Sequence, residues 1–438
     1  MRDLLIQFKM FFLFLADLGA ALFALCLMIL VRYGTDNFTD RLSVHLIPFS
    51  FVIILFILTF YIFNLYSFRF NKNTTEFTNS FIKSLLISFV VSVLVFYIFG
   101  NVFQLTPKTN LLLFTIIFGI IDFYLRIMIK RLFTKNKINR KVVVISGENE
   151  LVDELLQNQN INYEIIHRTN IFNLDEIIKM NPDVVAIDIN QLTELEKVYK
   201  VIKKDISIYS INNFYEEVFQ KVPTQKIEKS EIIEYISKNK TIFNFIKRSV
   251  DIVLSIILLI VFSPLFIIIT ILIKLTSKGP VLIKQKRTTK NGEAFILYKF
   301  RSMIAIGQDG QSEKNGPVWT PNNKEDPRIT PVGRIIRQTH LDEIPQIVNI
   351  LRGEISFVGP RPERPEFIEL LKKDILYYDL RHSIQAGLTG WAQVNYKYGS
   401  SVDDTKEKLK YDFYYIKNRN IFFDFLIILK TVAKFFTY

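Results

Sequence analysis

The sequence predicts a membrane protein of α plus α/β class: a four-helix transmembrane bundle, a small parallel-sheet module, and a mostly helical C-terminal domain with a re-entrant membrane helix hairpin. Three observations predict it. Four apolar segments long enough to cross a bilayer fill the first third, alternating strand and helix patterns follow, and a later apolar stretch is broken by Ser263-Pro264 with basic residues at both ends. The 438 residues suffice for two or three domains, and a chain 50% hydrophobic, 22% charged and carrying 40 Phe is neither disordered nor an ordinary soluble protein. A formal charge of +13 suits anionic headgroups or phosphate-bearing substrates, with nucleic acid as the third partner such charge admits. The single cysteine, Cys26, excludes an intrachain disulfide or a CxxC site, and four scattered histidines argue against a zinc enzyme.

The apolar segments run near Phe8 to Val31, Ile47 to Tyr66, Phe81 to Phe103 and Leu111 to Ile129. Each is long enough to supply the roughly 20 helical residues a bilayer core requires, and three further segments after the first argue against a cleaved signal peptide. Arg69, Lys72 and Lys83 flank the second link, and Lys130, Arg131, Lys135, Lys137, Arg140 and Lys141 follow the fourth span. The positive-inside rule puts both on the cytoplasmic side. Asp17 and Asp122 fall in or near the spans, where a satisfied interhelical contact is the favoured reading over a functional carboxylate.

From Lys141 the pattern alternates. Val142 to Ile145, Tyr163 to Ile166, Val184 to Ile187 and Ile206 to Tyr209 read as strands, with helices at Leu151 to Leu156 and Leu174 to Met180. This is a Rossmann-like parallel module. Its first turn, Ser146-Gly147-Glu148-Asn149, has one glycine where a dinucleotide fingerprint needs three, so no nicotinamide cofactor is expected.

A lysine-rich link, Lys221 to Lys240, leads to the apolar stretch Ile246 to Ile273. Lys247 and Arg248 precede it and Lys274, Lys278, Lys284, Lys286, Arg287 and Lys290 follow, so both ends ask for the same side of the membrane. Proline at 264 removes a backbone donor, and the Ser263 hydroxyl is placed to bond a freed carbonyl. A helix that enters one leaflet and returns, 247–274, satisfies these constraints. The domains expected are therefore 1–134, 135–240 and 241–438.

Beyond it the chain holds a phosphate-handling inventory: Lys299-Phe300-Arg301-Ser302-Met303, Asp326-Pro327-Arg328-Ile329-Thr330, Arg334, Arg337, Asp342-Glu343-Ile344-Pro345-Gln346 and Gly359-Pro360-Arg361-Pro362. Guanidinium forks hold diphosphate oxygens, and carboxylates bind a divalent cation or attack. No P-loop is present. Pro345 marks Asp342 and Glu343 as a helix opening, where neighbouring side chains diverge by about 100° and two carboxylates can divide the work.

The stretch from about Ile246 to Tyr438 resembles the bacterial sugar transferase family, monotopic phosphoglycosyl transferases that move a sugar phosphate from a UDP-sugar to undecaprenyl phosphate. The resemblance rests on the motifs above, with Lys247-Arg248-Ser249-Val250-Asp251, the Ser263-Pro264 break, Gly387-Leu388-Thr389-Gly390-Trp391 and Tyr411-Asp412-Phe413-Tyr414-Tyr415-Ile416. Four spans and a Rossmann-like module before it look like the family's long form, with a catalytic domain on the cytoplasmic face of the bacterial inner membrane. The resemblance implies that Asp342 attacks the β-phosphorus and expels UMP, and that a lipid phosphate then takes the phosphosugar. It implies Mg²⁺ at Asp342 and Glu343, phosphate contacts from Lys299, Arg301, Arg334 and Arg337, and an Arg361 loop serving the nucleotide end. Lys247, Arg248, Ser263 and Pro264 would form the lipid-binding hairpin. The implied partners are UDP-sugar, undecaprenyl phosphate and membrane lipids, without nucleic acid, and the bundle and module offer surface for a homodimer. Ala386 stands where the family usually has proline. Trp391 reads as a core or interface anchor, and Ile421 to Phe436 as an amphipathic interfacial helix. A catalytically inactive scaffold in polysaccharide assembly is the alternative, and a transporter a third class.

Overall fold

The computed structural model describes residues 2–63, 65–66, 74–103, 108–134, 140–157, 163–171, 173–188, 201, 204, 206–224, 240–304, 328–396, 399 and 401–437. The basic residues Arg69, Lys72, Lys135 and Lys137, the link 225–239 and the Asp326-Pro327 pair lie outside the described residues. The chain divides into two compact units, one of Met1–Glu148 with Val152–Ile208, the other of Asn149–Leu151 with Tyr209–Tyr438.

In the first unit, α1 (Arg2–Tyr33), α2 (Phe38–Ile62), α3 (Thr74–Phe103) and α4 (Lys108–Thr134) form the apolar bundle. α1 packs on α2 and α4, and α3 closes the ring by packing on both of those. These four helices and α8, described below, are long and apolar enough to cross a membrane. The second span starts at Phe38 and ends at Ile62, earlier than its hydropathy predicts, because helix continues through Pro48 near its start. Phenylalanine rings fill the bundle centre, with Phe56 edge-on to Phe114 and Phe118 at 5.8 and 5.5 Å.

Two buried polar clusters within the bundle are paired, as hydrocarbon surroundings favour. Arg126 donates from Nε to Asp122 at 2.7 Å, from Nη2 to Asp17, and from Nη1 to the Leu65 carbonyl at 2.9 Å. The two acids are thus an interhelical tie, joined by an arginine whose role the hydropathy pattern did not reveal. Nearer the opposite ends of the helices, His45 donates from Nδ1 to the Arg41 carbonyl at 2.7 Å, which leaves Nε2 to accept from Asn110 at 2.9 Å.

The same unit carries β1 (Arg140–Ile145), α5 (Glu150–Gln157), β2 (Tyr163–Thr169), α6 (Leu174–Met180), β3 (Val184–Ile187) and β4 (Ser207–Ser210), close to the boundaries read from the pattern. The last residues of β4 and the first of α5 fall to the second unit by contact. The strand order is β2-β1-β3-β4, with β1 parallel to both its neighbours, a small Rossmann-like sheet. Val142 to Ile145 are completely buried, which explains their continuous apolar run.

The second unit opens with α7 (Ile211–Phe219) and continues into α8 (Thr241–Thr276), a 36-residue helix with Pro264 inside it. Pro264 leaves the Ile260 carbonyl without its usual donor, and the Ser263 hydroxyl bonds that carbonyl at 2.8 Å. Side chains at the middle of α8 are bare, Ile260 being 69% and Val261 61% exposed, whereas both ends are held by protein. At the start, Lys247 pairs with Asp424, Arg248 donates to the Ile350 and Leu351 carbonyls at 2.6 and 2.7 Å, and Asp251 accepts the Phe357 amide at 3.3 Å. Near the end, Ile269 and Ile273 are buried in a cluster with Phe300, Ile336, Ile344 and Ile347.

The remaining elements are the antiparallel pair β5 (Leu282–Thr288) and β6 (Ala294–Phe300), α9 (Pro331–Gln338), α10 (Gln346–Arg352), β7 (Ser356–Val358), α11 (Pro365–Asp374), β8 (Gly387–Thr389), α12 (Trp391–Asn395), α13 (Val402–Asn418) and α14 (Ile421–Thr437). Trp391 is a core residue, 2% exposed, with its indole N–H donating to the Gln220 carbonyl at 2.9 Å. In α14 the polar residues face protein: Asp424 accepts from the Tyr415 hydroxyl at 2.6 Å and Lys434 donates to the Gln393 carbonyl at 2.7 Å. Phe422 and Phe425, 86% and 51% exposed, face outward, which is the inverse of a soluble helix and suits an apolar surrounding.

Replacing Arg126 with Met is expected to leave two buried carboxylates without a cation and to destabilise the bundle by about 3–5 kcal/mol. Thermal unfolding in detergent measures it, and an unchanged transition would show that the tie carries no stability.

Candidate functional site

Asp342 and Glu343 lie in a 3₁₀ turn, Leu341–Glu343, just before α10 rather than inside it. His340 enters the left-handed region at φ 54°, which reverses the chain after α9 and sets up the turn. Pro345 then caps α10. From α10 the buried Asn349 donates to the Ile296 carbonyl at 2.7 Å and accepts the Tyr298 amide at 3.1 Å. That clasp fixes β6 beside the turn and brings Lys299 to Glu343, Nζ to Oε1 at 2.6 Å.

Arg361 approaches the same Glu343 oxygen at 3.1 Å from the loop after β7. The loop is held from below. Arg381 donates to the Arg361 carbonyl at 3.1 Å and to the Tyr378 hydroxyl at 2.5 Å, while pairing with the buried Asp412 at 2.9 Å. β7 runs parallel to β8, Ser356 opposite Gly387 and Val358 opposite Thr389. Gly387 packs against the backbone of Gly359 so closely that a Cβ would collide with its amide, so glycine is required there.

Lys299, Glu343 and Arg361 therefore converge, with Asp342 adjacent and Arg337 close enough to act on its charge. Other residues expected at the site sit elsewhere. Arg334 is exposed on α9. Arg301 is 1% exposed and donates to the Ser277 and Lys278 carbonyls at 2.7 and 2.9 Å, so it closes the end of α8 instead of facing a substrate. Lys247 and Arg248 fasten the start of α8 to the domain, as described above, and Ser263 and Pro264 lie in its exposed middle. Of the Asp326 to Thr330 motif, Ile329 bridges Met303, and Thr330 caps α9 by accepting the Gly333 amide at 2.9 Å.

A small cleft beside the cluster is lined by Arg287, Lys299, Gln346 and Arg361, with Leu297, Pro362 and Gly387 completing its wall. Arg287 was not singled out as a site residue. The available signal was the alternation along β5, where Lys284 and Lys286 are exposed and Gln285 and Arg287 turn inward.

Burial works against charge on Glu343, but the Lys299 ammonium and Arg361 guanidinium prevail and hold its carboxyl well below the ordinary 4.5. Asp342 moves the other way. Burial raises its carboxyl above the ordinary 3.8, Lys299 opposes the rise, and the charge of Glu343 adds to it. Asp412 is pushed up to about 6 by burial, against the pull of Arg381. Two adjacent carboxyls with opposite shifts can divide the roles of fixed charge and reactive group.

Two carboxyls shifted in opposite directions and two converging cations define the candidate site of this membrane-helix-bearing unit. Residues 242–438 match the family described as bacterial sugar transferase. Over 232 residues the chain is 38% identical to the UDP-N-acetylgalactosamine-undecaprenyl-phosphate N-acetylgalactosaminephosphotransferase of Aeromonas hydrophila, covering 53% of each protein. Over 195 residues it is 40% identical to the UDP-glucose:undecaprenyl-phosphate glucose-1-phosphate transferase of Escherichia coli K12, covering 44% of this chain and 40% of that one. The chain thus spans about half or less of the length of these two relatives. Over 196 residues it is 39% identical to the exopolysaccharide production protein PSS of Rhizobium leguminosarum, covering 43% of this chain and 94% of that protein. The chain belongs to the bacterial sugar transferase family.

The sign of the Glu343 shift predicts how stability depends on pH. A carboxyl depressed in the folded state stabilises in full above its unfolded value, near 4.5, and loses that contribution as pH falls through the folded value. Lys299→Met should therefore lower the unfolding temperature most near neutral pH and progressively less below about pH 4.5. An equal penalty at pH 7 and pH 3 would mean that the ion pair does not set the shift.

Proposed function

We propose that the chain transfers a sugar 1-phosphate from a UDP-sugar to undecaprenyl phosphate, from the cytoplasmic face of the bacterial inner membrane, in envelope polysaccharide synthesis. The observation that carries it is Glu343, held by Lys299 and Arg361 next to Asp342, beside a cleft whose lining includes three cations and no carboxylate. The relatives described above, whose names specify UDP-sugars and undecaprenyl phosphate, support the same substrates.

In the first displacement an Asp342 carboxylate oxygen bonds to the β-phosphorus, the bond from that phosphorus to the bridging oxygen breaks, and its electron pair leaves with UMP. An oxygen of the lipid phosphate then attacks the same phosphorus and the aspartyl bond breaks, returning Asp342 as a carboxylate. Lys299 and Arg361 bind phosphate oxygens as charge builds on them, and Glu343 keeps both cations in place. Arg337 favours the ionised form of Asp342. Asp342 and the Glu343 oxygen not engaged by Lys299 and Arg361 would hold a magnesium ion together with diphosphate oxygens and water, since no group of three or more His, Cys, Asp or Glu placed for a metal occurs among the described residues. When bound it would neutralise diphosphate charge.

The same reading makes α8 re-entrant. Both its ends are fastened to the second unit, its middle is bare and apolar, and basic residues flank both termini. A straight helix of this length would extend about 54 Å, well past a bilayer core of about 30 Å. Return to the side of entry puts the catalytic cleft where the lipid phosphate emerges.

The direct test is UMP release by the detergent-solubilised protein with Mg²⁺, undecaprenyl phosphate and a panel of UDP-sugars. Release with one donor is expected, and Asp342→Asn should abolish it; full activity in that variant would rule out the aspartyl intermediate. The acid limb of the pH–rate profile should lie above the ordinary aspartate value of 3.8 and move to lower pH in Glu343→Gln, which removes the repelling charge. Movement to higher pH would contradict the division of roles. For the membrane helix, cysteines placed at Thr241 and Lys278 in a Cys26→Ala background should both be shielded from an impermeant maleimide in intact spheroplasts and react after lysis. Labelling of one end from outside would establish a crossing.

A further inference from the structure

We propose that Arg287 is a third cationic contact for the diphosphate of the nucleotide-sugar, presenting its Nε–H to a phosphate oxygen; this rests on the transferase reading above. Arg287 projects from β5 into the cleft that Lys299, Gln346 and Arg361 also line. Two of its nitrogens are anchored, Nη1 on the Pro362 carbonyl at 3.3 Å and Nη2 on the Gln285 side chain at 3.1 Å. Its nearest carboxylate, Glu363, stands at 3.7 Å. The third nitrogen, Nε, is buried and has no hydrogen-bond partner.

A buried donor without an acceptor is destabilising, and native proteins retain few of them. Arg301, Arg381 and Arg419 leave the same nitrogen without a partner, so the orphan alone does not mark a ligand; of the four, Arg287 is the one that lines the cleft, with its other two nitrogens anchored. The charge balance points to an anion. Glu363, at ion-pair distance, offsets part of the Arg287 charge and Glu343 adds to that, while Arg361 and Arg364 repel it; the cleft lining itself holds three cations and no acidic side chain, Glu343 being engaged by Lys299 and Arg361. A diphosphate brings several acceptor oxygens and negative charge to that place. Because Arg287 stands on a strand, its position does not require a loop to order first.

Arg287 also touches the Arg361 loop through Pro362, so the test must separate contact from positioning. Full-length protein in detergent is titrated with UDP by calorimetry and with uridine by saturation-transfer NMR. Arg287→Gln is expected to weaken UDP binding about tenfold or more, the loss of one charged hydrogen bond, while uridine binding and the thermal transition stay at wild-type values. Arg287→Lys, which keeps the charge without the fixed Nε–H, should fall between. UDP affinity unchanged in Arg287→Gln, uridine affinity falling in step with UDP, or no UDP binding by the wild type would each overturn the proposal. UMP release is read separately: a wild type that binds UDP through Arg287 but turns over no donor would sink the transferase reading and leave this contact standing.

Discussion

The second unit is organised around one carboxylate oxygen. Glu343 Oε1 receives Lys299 from β6 and Arg361 from the loop after β7, so three separate stretches of chain meet at a single acceptor. An ion pair so enclosed stabilises only when its geometry is complete, because removing either partner leaves charge in poor solvent. The surroundings supply that completeness. Asn349 locks β6 to α10, and Arg381 with Asp412 holds the Arg361 backbone, so the two cations arrive already positioned.

Several other basic residues serve as fasteners. Arg248 bonds the last carbonyls of α10, Arg301 those that follow α8, and Lys247 pairs with Asp424 of α14. Each meets an acceptor that would otherwise be left unsatisfied near a helix end or in an apolar setting. The bare middle of α8 gains nothing from polar partners, and there the single adjustment is the Ser263 hydroxyl on the Ile260 carbonyl. Polar fastening at the ends and apolar exposure between them is the arrangement expected of a helix anchored in protein at its termini and in lipid along its length.

Periodicity made much of the fold legible. The continuous apolar run at Val142 to Ile145 and the alternation of helix and strand after it correspond to buried parallel strands within a few residues. The four spans were equally visible, apart from the onset of α2 at Phe38, where hydropathy alone misjudges a helix that tolerates Pro48. Site residues were less legible, for a physical reason: an arginine in a motif has the same identity whether it faces a ligand or a carbonyl. Arg301 faces carbonyls, Arg334 faces solvent, and Arg287 faces the cleft, distinctions decided by strand register and by which helix ends lie nearby. Arg126 shows the same gap in the bundle, since pairing with Asp17 connects helices more than a hundred residues apart in sequence.

The opposite shifts of Asp342 and Glu343 follow from the same geometry. Both carboxyls are shielded from water, yet Glu343 has two cations in direct contact and Asp342 has none so close. Fixing charge on Glu343 spreads repulsion to its neighbour, so the carboxyl with the weaker partners becomes the more basic one. A basic carboxylate donates electrons to phosphorus more readily, whereas one saturated by ion pairs is a poor nucleophile and a good anchor. Exchanging the two roles would require moving Lys299 and Arg361 to Asp342, and the clasps from Asn349 and Arg381 hold them against that movement.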